Sequence, residues 1–185
     1  IKGFGGYGFP ESHSASFALL AYVSAWLKCH YPAAFYVGLL NSQPMGFYTP
    51  SQLIQDAQRH GVTVLPADVN YSEWNHQLLS QTDQGQPPIR LGLRLIKGLS
   101  RHAGHRIADS QRQMPFKNIS DLRRRAQIDK GDMEVLASAD ALKSLSGHRH
   151  QSQWQVMALQ TPSPLLRDTP YENRPEGLSD HIELP

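Results

Sequence analysis

The sequence contains very little cysteine, since Cys29 is the only one among 185 residues. A single cysteine excludes an internal disulfide framework and fits a reducing compartment. Long hydrophobic runs are also missing, because no apolar stretch approaches the roughly 20 residues that a membrane-spanning helix needs. Charged residues make up only 18% of the chain and hydrophobic residues 39%. This polar composition predicts that part of the chain is not packed.

The sequence also lacks an initiator methionine and a signal-peptide pattern, and Ile1 opens directly into a glycine-rich segment. The length suits one ordinary domain or two small ones. We therefore expect a piece of a longer protein, located in the cytoplasm and without membrane contact.

Motifs that carry chemistry are missing as well. The chain has no Gly-x-Ser-x-Gly sequence, no P-loop and no Asp-x-Asp pair. Nine histidines are present, but structural zinc sites usually include clustered thiolates. Cys29 has no partner at such a spacing and is predicted to be a small buried hydrophobe. We predict neither a catalytic residue nor a metal site in this chain.

Positive charge, by contrast, is concentrated in one stretch. Residues 90–130 contain eleven Lys and Arg against three Asp, a formal charge of +8 in a chain whose net charge is +2. Such a basic segment indicates a site for a polyanion. A solvated helix face explains the same pattern, because Arg123, Arg124 and Arg125 would point in three directions around a helix.

The hydrophobic pattern predicts a mainly α fold with a small β hairpin. Ser12 is suited to cap the first helix, Pro32 to open the second, and Thr49-Pro50 to start the third, which Gly61 ends. The predicted helices are 12–30, 32–41, 50–60, 100–112, 119–126, 132–138 and 147–159. The predicted strands are 62–65, 74–79 and 89–95, with a turn at 82–88. Residues 161–185, with five prolines and five acidic residues, are predicted to be a disordered linker.

The most informative pattern begins at Leu95. Leu95-Ile96-Lys97-Gly98-Leu99-Ser100-Arg101, followed by Gly104-His105-Arg106-Ile107, is typical of a helix-hairpin-helix unit. Its turn would present backbone N–H groups to a DNA phosphate, which gives grip without base recognition. The predicted DNA-binding residues are Lys97, Gly98, Leu99, Ser100, Arg101, Gly104, His105, Arg106 and Arg149. A second unit is predicted over 133–154 with its turn at Ala139-Asp140-Ala141, where Asp140 suits a structural role better than phosphate binding.

Several motifs resemble the bacterial C-family DNA polymerases, the α subunit of DNA polymerase III, and their error-prone, damage-inducible branch in particular. The matching segments are Tyr7-Gly8-Phe9-Pro10-Glu11-Ser12-His13-Ser14, Trp26-Leu27-Lys28, His30-Tyr31-Pro32-Ala33, Leu40-Asn41-Ser42-Gln43-Pro44-Met45-Gly46-Phe47-Tyr48, Asp68-Val69-Asn70 and Arg90-Leu91-Gly92-Leu93-Arg94. Pro10-Glu11 stands where replicative members usually have Asn-Lys. The match is colinear over about 1–160.

The resemblance implies that residues 1–70 are the C-terminal part of a fingers domain. It further implies a strand hairpin at 71–95, a tandem helix-hairpin-helix module at 96–160 and a linker at 161–185. The Mg²⁺ ions and their aspartates would belong to a palm domain outside this chain, so the chain alone is expected to be inactive. Ser12 and His13 would lie near the incoming nucleotide.

By the same resemblance, the implied partners are a primer-template duplex, a Y-family-like accessory protein and, through it, the sliding clamp. Two other functions remain open at this point: a stand-alone helix-hairpin-helix module that binds DNA, and a protein-docking scaffold whose basic stretch faces an acidic partner.

Overall fold

The computed structural model describes residues 11–80 and 85–146. Its helices are α1 Glu11–His30, α2 Pro32–Asn41, α3 Pro50–Arg59, α4 Arg101–Gln113, α5 Ile119–Ala126, α6 Lys130–Ser138 and α7 Lys143–Ser146, and its strands are β1 Val64–Leu65, β2 Gln77–Leu78 and β3 Ile89–Arg90. The predicted mainly α fold with a small β component is confirmed. The predicted helix 147–159 and linker 161–185 lie outside the described residues.

Local sequence signals set most helix ends. Pro32 opens α2 directly after α1, as predicted. Thr49 caps α3 through a complete capping box, in which its hydroxyl accepts from the Gln52 amide and the Gln52 side chain accepts from the Thr49 amide. Gly61 adopts φ 76° just beyond that helix, as a C-terminal glycine should. The prediction that Ser12 caps the first helix is wrong, because both Glu11 and Ser12 are helical.

The strands form a three-stranded sheet in the order β1-β3-β2. Strands β2 and β3 pair antiparallel, which confirms the hairpin, and β1 adds a parallel pairing to β3. The predicted strand 89–95 is wrong beyond Arg90. Leu93 and Arg94 donate their amides to the carbonyls of Glu73 and Trp74, and residues 93–95 form a 3-10 turn. This turn leads the chain from the sheet toward α4.

Two buried clusters meet around this sheet. The first cluster contains Ala33, Tyr36, Leu40, Leu53, Ala57, Val62, Ile89 and Leu91. The hairpin-side cluster is larger and takes Leu93, Leu99, Ile107, Leu122, Met133, Leu136 and Leu142, among others, from the residues after 68. Ala67 packs against both clusters. The domain boundary near residue 70 remains a prediction.

Buried polar groups connect the loop before the hairpin to the helices after it. Asp68 is 6% exposed and accepts from both the amide and the hydroxyl of Ser144, at 3.0 and 2.6 Å. Asn70 exchanges two hydrogen bonds with the backbone of Phe116, at 2.7 and 3.0 Å. Because buried polar groups are costly without partners, these contacts fix the position of α7 and of the loop before α5.

Helix α1 differs from the rest because its apolar side chains face solvent. Phe17 is 56% exposed, Leu20 62% and Tyr22 70%. The helical spacing of Phe17 and Leu20 therefore does not mark a stripe that packs on a core within residues 11–80 and 85–146. The prediction that Cys29 is buried is also wrong, since its side chain is exposed. None of the helices in the described ranges has both the length and the apolar character needed to cross a bilayer.

Candidate nucleic-acid interface

The first hairpin, residues 96–100, joins the 3-10 turn to α4. Gly98 has φ 93°, a conformation that residues with a Cβ rarely adopt. The Leu99 amide donates to the Ile96 carbonyl at 3.3 Å, which closes the turn. Leu99 is 8% exposed and anchors the turn in the hairpin-side cluster. The hairpin therefore has one side fixed in the core and the other, with Lys97 and Gly98, exposed.

Ser100 caps α4. Its hydroxyl accepts from the Ala103 amide at 3.1 Å, and the helix then continues for 13 residues to Gln113. A helix that begins in a tight turn directs its first N–H groups outward, together with the positive end of its dipole. Arg101 is exposed beside them, and its Nε donates to His105 Nε2 at 3.3 Å. The arrangement places two cations next to the amides of the hairpin.

The remaining predicted DNA-binding residues of α4 have packing or capping contacts. Gly104 is buried, and a Cβ there would overlap the Trp74 indole. His105 is exposed, with its ring centroid 5.7 Å from that of Trp74. Arg106 donates from Nε to the Ala126 carbonyl at 2.8 Å and from Nη2 to the Gln127 carbonyl at 3.2 Å. Arg106 thus satisfies carbonyls at the end of α5.

Other arginines of the basic stretch also have structural partners. Arg94 donates to the carbonyls of Asn41 and Gln43 at 2.9 and 3.0 Å. Arg125 donates to the Met114 carbonyl at 2.8 Å and lies 4.8 Å from the Phe116 ring centroid. Arg112 pairs with Glu73 and Asp109, and hydrogen bonding to Glu73 raises its pKa. These guanidinium groups keep their charge, but N–H groups that bond to the protein are not free to contact a ligand directly.

The second hairpin, residues 139–142, joins α6 to α7. Asp140 has φ 58° at this turn, and the Ala141 amide donates to the Leu136 carbonyl at 3.0 Å. The Ala141 carbonyl in turn accepts from the Val69 amide at 2.9 Å. The predicted turn is confirmed, and its backbone is tied to the loop before the sheet. Arg149 lies outside the described residues.

An acidic groove, which the sequence analysis missed, lies beside the first hairpin. It has a volume of about 700 Å³, and its lining includes Lys97, Gly98, Asp129, Asp132 and Glu134. The Asp132 carboxylate accepts a long hydrogen bond of 3.4 Å from the Ser100 amide. The backbone N–H of Ser100, at the start of α4, therefore donates to a carboxylate, whereas in a phosphate-binding hairpin it would be expected to donate to a phosphate.

The residues predicted to bind the nucleotide lie at the start of α1. His13 is exposed, and its ring centroid is 4.4 Å from that of Phe17; Ser12 precedes it in the same helical turn. No group of three or more His, Cys, Asp or Glu within residues 11–80 and 85–146 is arranged to hold a metal ion. These residues therefore do not fit the Mg²⁺ that the family resemblance implies.

Comparison with known proteins gives a consistent result. The helix-hairpin-helix family pattern matches residues 61–152. Error-prone DNA polymerases from Teredinibacter turnerae and Methylococcus capsulatus are 57% and 55% identical to the chain and cover 92% and 91% of it. The enzyme of the same name from Saccharophagus degradans is 59% identical over 90% of the chain.

The match covers only a small part of each relative. The chain spans 17%, 18% and 16% of the lengths of these three polymerases. Within that span the identity is high and extends over nearly all of the chain, including both hairpins. Over nearly all of its length the chain is therefore similar to a segment of error-prone DNA polymerases, and residues 61–152 match a helix-hairpin-helix motif.

Proposed function

We propose that this chain is the segment of an error-prone DNA polymerase that holds duplex DNA by its phosphates, independently of sequence. The observation that carries this proposal is the first hairpin. Gly98 at φ 93° lets the backbone approach a ligand closely, while Lys97 and Arg101 are exposed on either side of it. Backbone N–H groups and flexible cations recognise phosphate and not base edges.

The two hairpins have different roles in this proposal. The first has an exposed turn, two exposed cations and the start of a long helix. The second has Asp140 at its turn, and its Ala141 carbonyl accepts a hydrogen bond from the Val69 amide. It therefore has a structural role and does not contact DNA. Gly104, Leu99 and Arg106 would contribute to DNA binding only by positioning the backbone. Gly104 and Leu99 are packed in the interior, and the Arg106 side chain caps α5.

The proposal for the whole protein rests on the names of the similar polymerases. We infer template-directed DNA synthesis across damaged sites in the bacterial cytoplasm, with the catalytic carboxylates and Mg²⁺ outside the described residues. Ser12 and His13 would contribute to the nucleotide pocket, because the family resemblance places them near the incoming nucleotide. An accessory protein related to Y-family polymerases and, through it, the sliding clamp are the proposed partners. The exposed apolar surface of α1 suits packing against other parts of such a polymerase.

The first prediction concerns the two cations of the hairpin. Lys97→Ala and Arg101→Ala are each expected to weaken duplex binding to a similar extent on any sequence. Each lost phosphate contact should also reduce the slope of log K against log salt by about 0.9. Fluorescence anisotropy with two unrelated duplexes over a salt series measures both quantities.

Arg106→Ala serves as the comparison variant for this experiment. Its guanidinium already bonds the carbonyls of Ala126 and Gln127, so we expect a loss of stability with a smaller change in the salt slope. A loss at Lys97 or Arg101 that depends on sequence would contradict the phosphate-contact role. Folded chain that binds no duplex at low salt would favour the protein-docking scaffold.

A second prediction concerns the carboxylate in the acidic groove. Asp132→Asn is expected to strengthen duplex binding about two- to five-fold at low salt, since it removes a charge that competes with phosphate at the Ser100 amide. Asp109→Asn removes the same charge from the exposed face of α4, outside the groove, and should change affinity less. Equal gains from both variants would mean that only net charge matters.

A further inference from the structure

A second pocket is lined by residues of α1, α2, α3 and the loop 42–49. These residues all precede the two hairpins in the sequence. Its volume is about 440 Å³, and its lining includes Lys28, Phe35, Tyr48, Gln52, Asp56 and Arg59. This volume falls within the roughly 300–1,000 Å³ typical of sites for small ligands. The proposed DNA grip does not use any of these residues, so the pocket needs its own explanation.

The pocket carries a net positive charge. Lys28 Nζ pairs with Asp56 Oδ2 at 2.8 Å, and hydrogen bonding to Asp56 raises the pKa of Lys28. Asp56 also accepts from the Tyr36 hydroxyl at 2.6 Å, and its pKa is lowered by Lys28 first and Tyr36 second. Arg59 forms no ion pair with any residue of the described ranges. Arg59 is therefore the cation that remains available to an anionic ligand.

An aromatic ring stands at the edge of the same pocket. Tyr48 is 61% exposed although it is large and mostly apolar. Its loop is held in place, because Gln43 Nε2 donates to the Tyr48 carbonyl at 3.2 Å and Arg94 donates to the Gln43 carbonyl at 3.0 Å. An exposed ring on a fixed backbone loses little entropy when a flat ligand stacks on it.

Gln52 supplies a donor of known orientation. Its Oε1 accepts from the Thr49 amide at 2.9 Å in the capping box of α3. The amide nitrogen of the same side chain is therefore left to donate to a ligand in the pocket. The ring of Tyr48 can stack on a base, the Gln52 amide can donate to that base, and the Arg59 guanidinium can bind its phosphate.

We propose that this pocket binds one unpaired nucleotide of single-stranded DNA, with the base stacked on Tyr48 and the phosphate bound by Arg59. A duplex does not fit this description, because its bases are stacked on one another and their faces are covered. The choice of DNA as the ligand rests on the proposed function, whereas the pocket and its chemistry do not. The site would hold template that has not yet been copied, separately from the duplex at the hairpin.

The test uses the 185-residue chain with two fluorescent probes, a short oligo(dT) and a mixed-sequence duplex. Tyr48→Ala is expected to weaken oligo(dT) binding at least about five-fold, the minimum expected for the loss of one stacked base. Arg59→Gln removes a phosphate contact, so it is expected to weaken oligo(dT) binding and to reduce the slope of log K against log salt by about 0.7, the value for single strands. Duplex binding should stay unchanged. Tyr48→Phe keeps the ring and should bind oligo(dT) like the unaltered chain, and equal denaturant midpoints show that each variant is folded.

Phe47→Ala is the matched control. Phe47 is 93% exposed on the same loop but does not line the pocket. If Phe47→Ala weakens oligo(dT) binding as much as Tyr48→Ala does, any exposed ring suffices and the proposed site is wrong. Unchanged oligo(dT) binding in Tyr48→Ala, or equal losses on both probes, would also overturn it.

The same titrations separate this proposal from the proposed function. If the chain binds the duplex and not oligo(dT), the pocket proposal fails and the hairpin proposal stands. If it binds oligo(dT) through Tyr48 but no duplex, the hairpin proposal fails alone. If folded chain binds neither probe, both are wrong.

Discussion

Gly92→Ala is expected to lower the free energy of unfolding by about 3 kcal/mol, the upper part of the range for overpacked cores. Gly92 is buried where the chain leaves β3, and a Cβ there would overlap the Trp74 carbonyl oxygen and the backbone of Asn75. Those atoms belong to the backbone, so no side-chain rotation relieves the overlap. The Trp74 carbonyl also accepts from the Arg94 amide at 3.0 Å, and this bond would have to lengthen.

Chemical denaturation of Gly92→Ala and Gly38→Ala tests this expectation. Gly38 lies within α2, and nothing would lie within 4 Å of a Cβ at that position. Because alanine is favoured over glycine inside a helix by up to about 1 kcal/mol, Gly38→Ala should raise the denaturant midpoint. The two variants make the same chemical change and should move stability in opposite directions. A midpoint for Gly92→Ala equal to that of the unaltered chain would show that the strand-to-turn crossing tolerates a side chain.

Elements whose determinants are local in sequence could be predicted. The capping box at Thr49 and Gln52, the break at Pro32 and the left-handed glycines 61 and 98 each depend on a few neighbouring residues. The strand predicted through Leu95 failed for the opposite reason. Leu93 and Arg94 bond to the backbone of Glu73 and Trp74, and a contact between residues twenty apart in sequence leaves no local pattern.

The site shows the same division. The hairpin sequence around Gly98 indicated a phosphate-binding turn, but the acidic groove beside it comes from residues 129–134 and could not be placed from spacing. Charge counting also could not show which cations are free to contact a ligand, because Arg94, Arg106 and Arg125 are hydrogen bonded to backbone carbonyls. Apolar periodicity in α1 was read correctly as a helix, yet its exposed side chains show that periodicity does not say what covers the apolar residues.

His76 is expected to make the chain less stable as the pH falls from about 6.5 to about 4. His76 is 5% exposed, and its Nδ1 accepts from the Gly92 amide at 3.1 Å, which requires a neutral ring with the proton on Nε2. Burial first, and the nearby charge of Arg94 second, lower the pKa of His76 from 6.5 to about 4. Between pH 6.5 and pH 4, His76 therefore stays neutral in the folded chain and becomes protonated in the unfolded chain.

The sign and size follow from proton linkage. Above pH 6.5 His76 is neutral in both the folded and the unfolded chain, so its full contribution to the free energy of unfolding is present. Between pH 6.5 and 4 only the unfolded state takes up the proton, and the free energy of unfolding should fall by roughly 2–3 kcal/mol over this interval. Below pH 4 the folded state is protonated as well, and the contribution does not decline further.

Denaturant unfolding of the unaltered chain and of His76→Asn between pH 7 and pH 4 measures this effect. The asparagine Oδ1 can accept from the Gly92 amide as Nδ1 does, but it does not titrate. All other titratable groups are common to both chains, so the difference between their stabilities isolates His76. We expect the variant to lose roughly 2–3 kcal/mol less stability than the unaltered chain on acidification from pH 7 to pH 4. Parallel curves would mean that His76 has the same pKa in the folded and the unfolded chain, so that burial and Arg94 do not lower it.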